Sequence, residues 1–382
     1  MRKWIFPLLA LGLIIAGLPL TTAAVSTGVP PERYERLQRG VNLPGWLWLN
    51  NQPVQALENH YSETDFALMK DLGLTCVRVP IDMENMFDPE ANNLLNGGAL
   101  EIMDDGFETI LAHDLAIIVD LHSISQRTGG SNYSGDLGKD EEVTNNFYRF
   151  WEQFAGHLRR YPPNDIILSP MNEPVFMDME DKWPPIQEKV VSIIRQQAPE
   201  HTIVATNVRW SNLDWLIQLE PLEDDNIIYN FHFYEPHVFT HQGATWSSDI
   251  VKTMRHVPYP SSPEAVEPAM QLVESQAVKD RLERYGEERW NKETIEEEIK
   301  KAADWAEEHG CKLTCDEFGV YDRYVRPEHR VAWLRDVRQS FEQFGVHWVM
   351  WTWAGSFGVA DREDGEVSVD RDVAQALGLN VE

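Results

Sequence analysis

Residues 166–174 read IILSPMNEP, and this stretch decides the fold. Ile166, Ile167 and Leu168 show no polar alternation, which is the pattern of a strand covered on both faces. The run ends abruptly in Asn172-Glu173-Pro174, where proline stops the hydrogen-bonding ladder. A carboxylate where a buried strand runs out sits at the rim of a sheet, the place where parallel α/β folds carry their chemistry.

Working outward, the same unit recurs on both sides. Arg39–Leu43, Cys76–Ile81 and Ala116–Leu121 read as strands before it; Thr202–Val208, Ile227–Tyr234, Lys312–Phe318 and His347–Trp353 read as strands after it. Helical stretches separate them, at Ser62–Leu72, Ala99–His113, Glu141–Tyr161, Ile186–Gln197, Leu213–Leu219 and Pro327–Phe344, with a last weak helix near Asp372–Leu377. Ser62 with Asp65 three residues on, and Gly73 at the far end, give the first of these a start and a stop. Eight strands alternating with helices fit a closed (β/α)8 TIM barrel of the α/β class better than an open sheet. No glycine-rich phosphate loop follows any strand, which disfavours a nucleotide fold. The one long departure lies between strands 6 and 7, Glu235–Gly310, with its Pro/Ser-rich HVPYPSSPEAVEP and a charged helix from Thr294 to His309. It reads as a rim loop over the site.

Composition narrows the function. A chain of 382 residues with 43% hydrophobic and 25% charged residues has enough apolar material for a large core. Its formal charge of -29 argues against nucleic acid as a partner, because phosphate binding needs clustered Lys and Arg. Three cysteines, Cys76, Cys311 and Cys315, match neither a disulfide framework nor a zinc spacing and read as thiols. Arg2 and Lys3, then the apolar run Trp4–Leu20, then small residues to Ser26 follow the order of a secretory signal, with a cut after Ala24. Residues 1–24 are therefore expected to be a signal peptide and 25–382 one catalytic domain, secreted and monomeric. The competing reading is an uncleaved anchor, since the run is near the lower length for a span; Pro7 and Pro19 favour cleavage. Only that anchor would bring the chain to a membrane.

If the barrel closes, the strand ends gather Arg78, His122, Asn172, Glu173, His232, Tyr234, Glu317 and Trp351 at one face. Taken singly, a buried arginine or histidine is usually a satisfied core group. Together, at the same end of their strands, they form a constellation. Two glutamates suggest glycosidic bond cleavage, which needs one protonated carboxyl group to assist departure and a second to attack carbon or activate water. Arg78 would keep the attacking carboxylate ionised, Asn172 and the histidines would hold sugar hydroxyls, and Trp351 offers an apolar floor for a sugar ring.

The motifs RGVNLPGW, VRVP, VDLH, MNEP, NFHFY, DEFG and WVMWTW, in this order, make the chain resemble glycoside hydrolase family 5, cellulase-like retaining β-glycanases, over nearly its whole length after the signal. The resemblance implies Glu173 as the acid/base and Glu317 as the nucleophile. It implies Arg78, His122, Asn172, His232, Tyr234 and Trp351 as their surroundings, with carboxyl groups about 5 Å apart. Two departures stand out: Asp316 where glycine is usual, and Ser169-Pro170 in the strand before the acid/base. Side chains alternate along a strand, so Asp316 is expected to point away from the site; turned inward by a bulge, it would raise the nucleophile's pKa.

Trp46, Trp210, Trp353 and Trp246, with Trp48 and Phe357, are candidates to stack on sugar. Burial is the plain alternative for each. No basic cluster marks a site for acidic sugars, so the expected partner is a neutral polysaccharide or oligosaccharide. An endo-β-1,4-glucanase leads, with β-1,3-glucanase (exo or endo) and β-mannanase open on the same residues. No cofactor and no metal are expected. A metal-dependent hydrolase using His122, His232, His237 and Glu317 would want a His-x-His pair on one strand, which no predicted strand has. A sugar-binding barrel without catalysis sits poorly with two rim glutamates.

Overall fold

The computed structural model describes residues 28–48, 60–91, 94–124, 134–363 and 365–381. The expected signal segment and most of the Gly- and Ser-rich run from Arg127 to Gly138, which reads as a loop after the third strand, lie outside these residues. Eight parallel strands close into a barrel in sequence order: β1 (Arg39–Asn42), β2 (Cys76–Asp82), β3 (Ala116–Ser123), β4 (Ile166–Ser169), β5 (Ile203–Ala205), β6 (Ile227–Phe233), β7 (Lys312–Phe318) and β8 (His347–Met350). β1 pairs with β2 on one side and β8 on the other, which shuts the ring. The (β/α)8 expectation is met.

The helices form for local reasons and then pack for one shared reason. The helix Glu63–Asp71 starts at a capping box, in which Asp65 N donates to Ser62 Oγ and Ser62 N donates to Asp65 Oδ2 at 2.8 Å. The helix Glu141–Leu158 begins at Asp140 and turns Phe147, Phe150, Trp151, Phe154 and Leu158 onto the barrel. Each such aromatic contributes roughly 1.5–3 kcal/mol by leaving water. The indole of Trp151 also donates to Pro170 O at 3.0 Å, so this helix supplies the hydrogen bond that the chain leaving β4 needs.

Inside the barrel the layers differ in chemistry. The lower layer is apolar, made by Cys76, Ala116, Ile118, Ile167, Val204, Ile228 and Val349 and closed from below by Tyr34 and Leu37. There is no room at Gly40, where a Cβ would meet Cys76 Sγ at 2.6 Å and Val349 Cγ1 at 3.2 Å. Above it lie Asn42, Arg78, Asp120, Ser169, Asn230 and Asp316, all fully buried. Hydrophobic packing thus ends partway up the barrel and a polar network takes over.

Two features differ from the sequence reading. The excursion after β6 is mostly helical, with helices Pro263–Met270 and Gln276–Glu288 ahead of the charged helix Lys292–His309. Its prolines read as loop, yet Pro263 occupies the first turn behind the N-cap Ser262, where proline is favourable. A hairpin, β9 (Ala360–Glu363) with β10 (Glu366–Val369), follows the barrel and was missed, although Asp364-Gly365 and the alternation of Glu366-Val367-Ser368-Val369 carry its signal. Among the described residues, no helix is long and apolar enough to cross a membrane.

Candidate active site

Arg78 is the centre of the polar layer. Nη1 donates to Asn42 Oδ1 at 2.9 Å and Glu317 Oε1 at 3.0 Å, and Nη2 donates to Asn172 Oδ1 at 2.5 Å. Nη2 also lies 2.9 Å from Asp120 Oδ1. A planar fork with fixed donors suits this fourfold arrangement, which a lysine could not make. Around it, β3 sends up Asp120 and His122, β4 leads into Asn172 and Glu173, β6 carries His232 and β7 carries Glu317.

Asp120 links three of these elements. Oδ1 accepts from Ser169 Oγ at 2.9 Å, and Oδ2 lies 2.8 Å from His122 Nδ1. Burial pushes the His122 pKa down to about 4, so the ring is neutral near pH 7. Its proton then sits on Nδ1 facing the carboxylate, and Nε2 accepts from Asn172 Nδ2 at 3.2 Å. Asn172 is held at both ends of its amide, with one N–H left for a sugar hydroxyl.

The two glutamates sit in unequal surroundings. Glu317 accepts from Arg78 and, through Oε2, from Tyr234 Oη at 3.0 Å. Glu173 accepts from His232 Nδ1 at 2.8 Å. Burial raises both pKa values, and the Glu317 charge raises that of Glu173 further, whereas Arg78 and Tyr234 pull that of Glu317 back. A proton shared by the pair therefore rests on Glu173 and leaves Glu317 as the anion. One carboxylate oxygen of Glu173, one of Glu317 and a ring nitrogen of His232 all lie within 4.8 Å of one another, close enough for a retaining pair and closer than the wider spacing of inverting enzymes. Among the described residues this trio could also grip a cation, but the guanidinium 3.0 Å from Glu317 opposes one there. The other histidine of the metal alternative, His237, is bonded to Ser247 Oγ at 2.9 Å.

Asp316 corrects the expectation of alternation. The β6–β7 register shifts between Phe231–Cys315 and His232–Glu317, so Asp316 is an extra residue in a bulge. It faces the barrel interior, where Oδ1 accepts from Thr314 Oγ1 at 2.8 Å and Oδ2 lies 4.0 Å from Arg78 Nε.

Two of the proposed sugar platforms belong to the core. Trp46 is buried against the helix Gly97–Ala112, with its ring 2.2 Å from where a Gly106 Cβ would stand. Trp353 is fully buried and donates its indole N–H to Asp65 Oδ1 at 2.8 Å. Both look like loop aromatics in sequence because the residues that cover them are distant in the chain. Trp48 is likewise buried, donating to Ser123 Oγ at 3.1 Å behind His122. Trp351 is half-buried and stacks parallel to His122, ring centres 5.4 Å apart.

Trp246 is 54% exposed and Trp210 36% exposed. Trp246 leans edge-on against Tyr321, next to Phe357, which is buried. Trp210 lies in a run of three residues, Arg209, Trp210 and Ser211, with φ of 56°, 61° and 53°. Left-handed backbone at non-glycine residues costs of order 1 kcal/mol each. Here it is held by Ser211 Oγ donating to Asn172 O at 2.9 Å and by the Arg209–Glu180 ion pair.

The sequence reading missed Asp120 and Asn42. Asp120 was within reach: it stands two residues before His122, on the same face of a strand. Asn42 gave no comparable signal, since its partners come from β2, β7 and β8.

This geometry agrees with what the chain is similar to. The sequence model described as cellulase, glycosyl hydrolase family 5, matches residues 35–356. The chain belongs to this family. Family membership makes it a glycoside hydrolase, acting on O-glycosyl bonds. Among relatives, it is 30% identical to cellodextrinase A of Ruminococcus flavefaciens, over 87% of this chain and 92% of that one. It is 26% identical to endoglucanase 3 of Fibrobacter succinogenes, over 90% of this chain, but it spans only 53% of that longer protein. In fold it resembles an endoglucanase from the hyperthermophilic Thermotoga maritima, with a TM-score of 0.72 and 23% identity over 91% of this chain and 98% of that one.

Proposed function

We propose that the protein is a retaining endo-β-1,4-glucanase, with Glu317 as nucleophile and Glu173 as general acid and base. The observation that carries this reading is the unequal pair itself: a buried and a half-buried carboxyl group with oxygens within 4.8 Å of each other, only one of them held by a guanidinium and a phenol. In the first step Glu317 attacks the anomeric carbon while Glu173 protonates the departing glycosidic oxygen. In the second, Glu173 takes a proton from water, which displaces Glu317 from the sugar. Arg78 and Tyr234 hold the attacking oxygens, Asn172 donates to the hydroxyl beside the reacting carbon, and Trp351 forms the floor beneath the ring.

The β-1,4-glucan assignment draws on the names of the relatives, which include several endoglucanases and a cellodextrinase. Trp246 and Trp210 flank the site as exposed rings and suit stacking on further sugar units. Residues 1–24 suit a secretory signal, so we place the enzyme outside the cytoplasm, acting as a monomer. The test is a panel of soluble β-1,4-glucan, β-1,3-glucan and β-mannan, with product lengths and anomeric configuration followed from the first turnovers. Internal cuts in β-1,4-glucan with retained configuration are expected. Inverted products, or unaltered hydrolysis by Glu317→Gln, would overturn the mechanism; preference for another glycan would overturn the substrate.

A further inference from the structure

Arg78 carries five N–H groups, and four of them are engaged by Asn42, Glu317, Asn172 and Asp120. The fifth, on Nε, faces Asp316 Oδ2 at 4.0 Å. Neither of these two atoms has a hydrogen-bond partner among the described residues. Asp316 is there because of the bulge, which sends it and Glu317 into the barrel from consecutive positions of β7. One buried cation therefore serves three carboxyl groups, on β3, at the bulge and at the rim.

We propose that Asp316 is a positioning residue that sets the pH at which the nucleophile Glu317 ionises, by drawing on the Arg78 charge from the face opposite the substrate. The inference rests on the reading of Glu317 as nucleophile. A negative charge at Asp316 cancels part of the positive potential that Arg78 offers Glu317, so the nucleophile holds its proton to higher pH. With Asp316 neutral, Glu317 has a larger share of the guanidinium.

The groups around Asp316 allow it to titrate in the relevant range. From β2 it faces Arg78 and the buried thiol of Cys76, and from β3 Asp120. From its own strand it faces Thr314, Cys315 and Glu317. From β6, Asn230 Oδ1 accepts its backbone N–H at 3.0 Å, and from β1, Asn42 donates to its carbonyl at 2.8 Å. Burial raises the Asp316 pKa to about 6, against the opposing pull of Arg78 and Thr314. Asp316 thus changes charge where a buried glutamate beside it also titrates.

The test is the pH profile of kcat/KM for dinitrophenyl β-cellobioside. Its leaving group departs without protonation, so the acid limb reports the nucleophile and not Glu173. Asp316→Asn is expected to move that limb down by about half a pH unit, which is roughly a 3-fold gain relative to plateau on the acid side. Thr314→Val, which removes the hydroxyl that steadies the Asp316 anion, should move the limb the same way by less. It provides the reading if Asp316→Asn folds poorly. A merely structural Asp316 would lower the whole profile and leave the limb in place, and that result would overturn the inference. Glu317→Gln on the same substrate keeps the two readings apart. If it abolishes turnover while the limb of Asp316→Asn stays fixed, only the role of Asp316 falls. If it leaves turnover intact, the nucleophile assignment falls and takes this inference with it.

Discussion

Nη1 of Arg78 lies 3.0 Å from Oε1 of Glu317, across the barrel interior and 239 positions apart in the chain. That contact is one of four made by the same guanidinium, so its geometry is fixed by the other three. Arg78→Lys keeps the charge but cannot reach Asn42, Asn172, Asp120 and Glu317 together. A loss of about 100-fold or more in kcat/KM on an aryl cellobioside is expected, comparable to removing one preorganised donor from an active site. Wild-type turnover in this variant would show that charge alone suffices.

Glu173→Ala is expected to divide substrates by leaving group. Polysaccharide, whose departing oxygen needs a proton, should lose roughly 10²–10⁴-fold in rate, while dinitrophenyl cellobioside should lose little at its first chemical step. The pH profile supplies the sign. Glu173 has a raised pKa, so the wild-type rate on polysaccharide falls as pH rises through that value and the acid is lost. In Glu173→Ala this basic limb should vanish. Equal losses on both substrates would point to a positioning role instead.

His347 offers a stability test away from the site. It stacks on Tyr34 with ring centres 3.7 Å apart, and burial pushes its pKa down to about 4. In the unfolded chain it titrates near 6.5, so the unfolded state binds the proton first as pH falls. The penalty is absent above pH 6.5 and grows to ~3 kcal/mol as pH falls to 4. His347→Phe keeps the stack and removes the titration. Urea unfolding at pH 7 and pH 4 should show the variant losing less stability between the two than the wild type. Parallel losses would refute the assignment.

Gly106 lies inside the helix Gly97–Ala112, where alanine would normally be preferred by up to about 1 kcal/mol. Here the added Cβ would stand 2.2 Å from the Trp46 ring. Gly106→Ala is therefore expected to destabilise the protein by about 1–3 kcal/mol, the cost of overpacking. A higher melting temperature would show that the ring yields, and would return Trp46 to the candidates for stacking on sugar.

The barrel and most of the site were legible because both depend on features that survive in one dimension. Unbroken apolar runs such as Ile166–Leu168 mark buried parallel strands, and polar residues at their ends mark the rim. What escaped depends on register. Asp316 was placed outward by simple alternation, and a single inserted residue in β7 reversed it. Trp46 and Trp353 read as rim aromatics by position, but Gly106 and Asp65 supply their cover from elsewhere in the chain. The helices at Pro263–Met270 and Gln276–Glu288 were hidden by Pro263, which sits at a tolerated first-turn position, by Pro268, which sits inside the helix, and by a sparse apolar face of Val278, Leu282 and Tyr285.

Closure of the ring between β1 and β8 also governs when the enzyme comes to life. A chain still emerging from the ribosome can display Glu173 long before Glu317 has been translated. Even with both present, β1 lacks one neighbour until β8 arrives, and Arg78 and Asn42 have no fixed frame. A product that ends before β8 thus lacks the closed ring, and hydrolytic activity reports that the last barrel strand has been both made and seated.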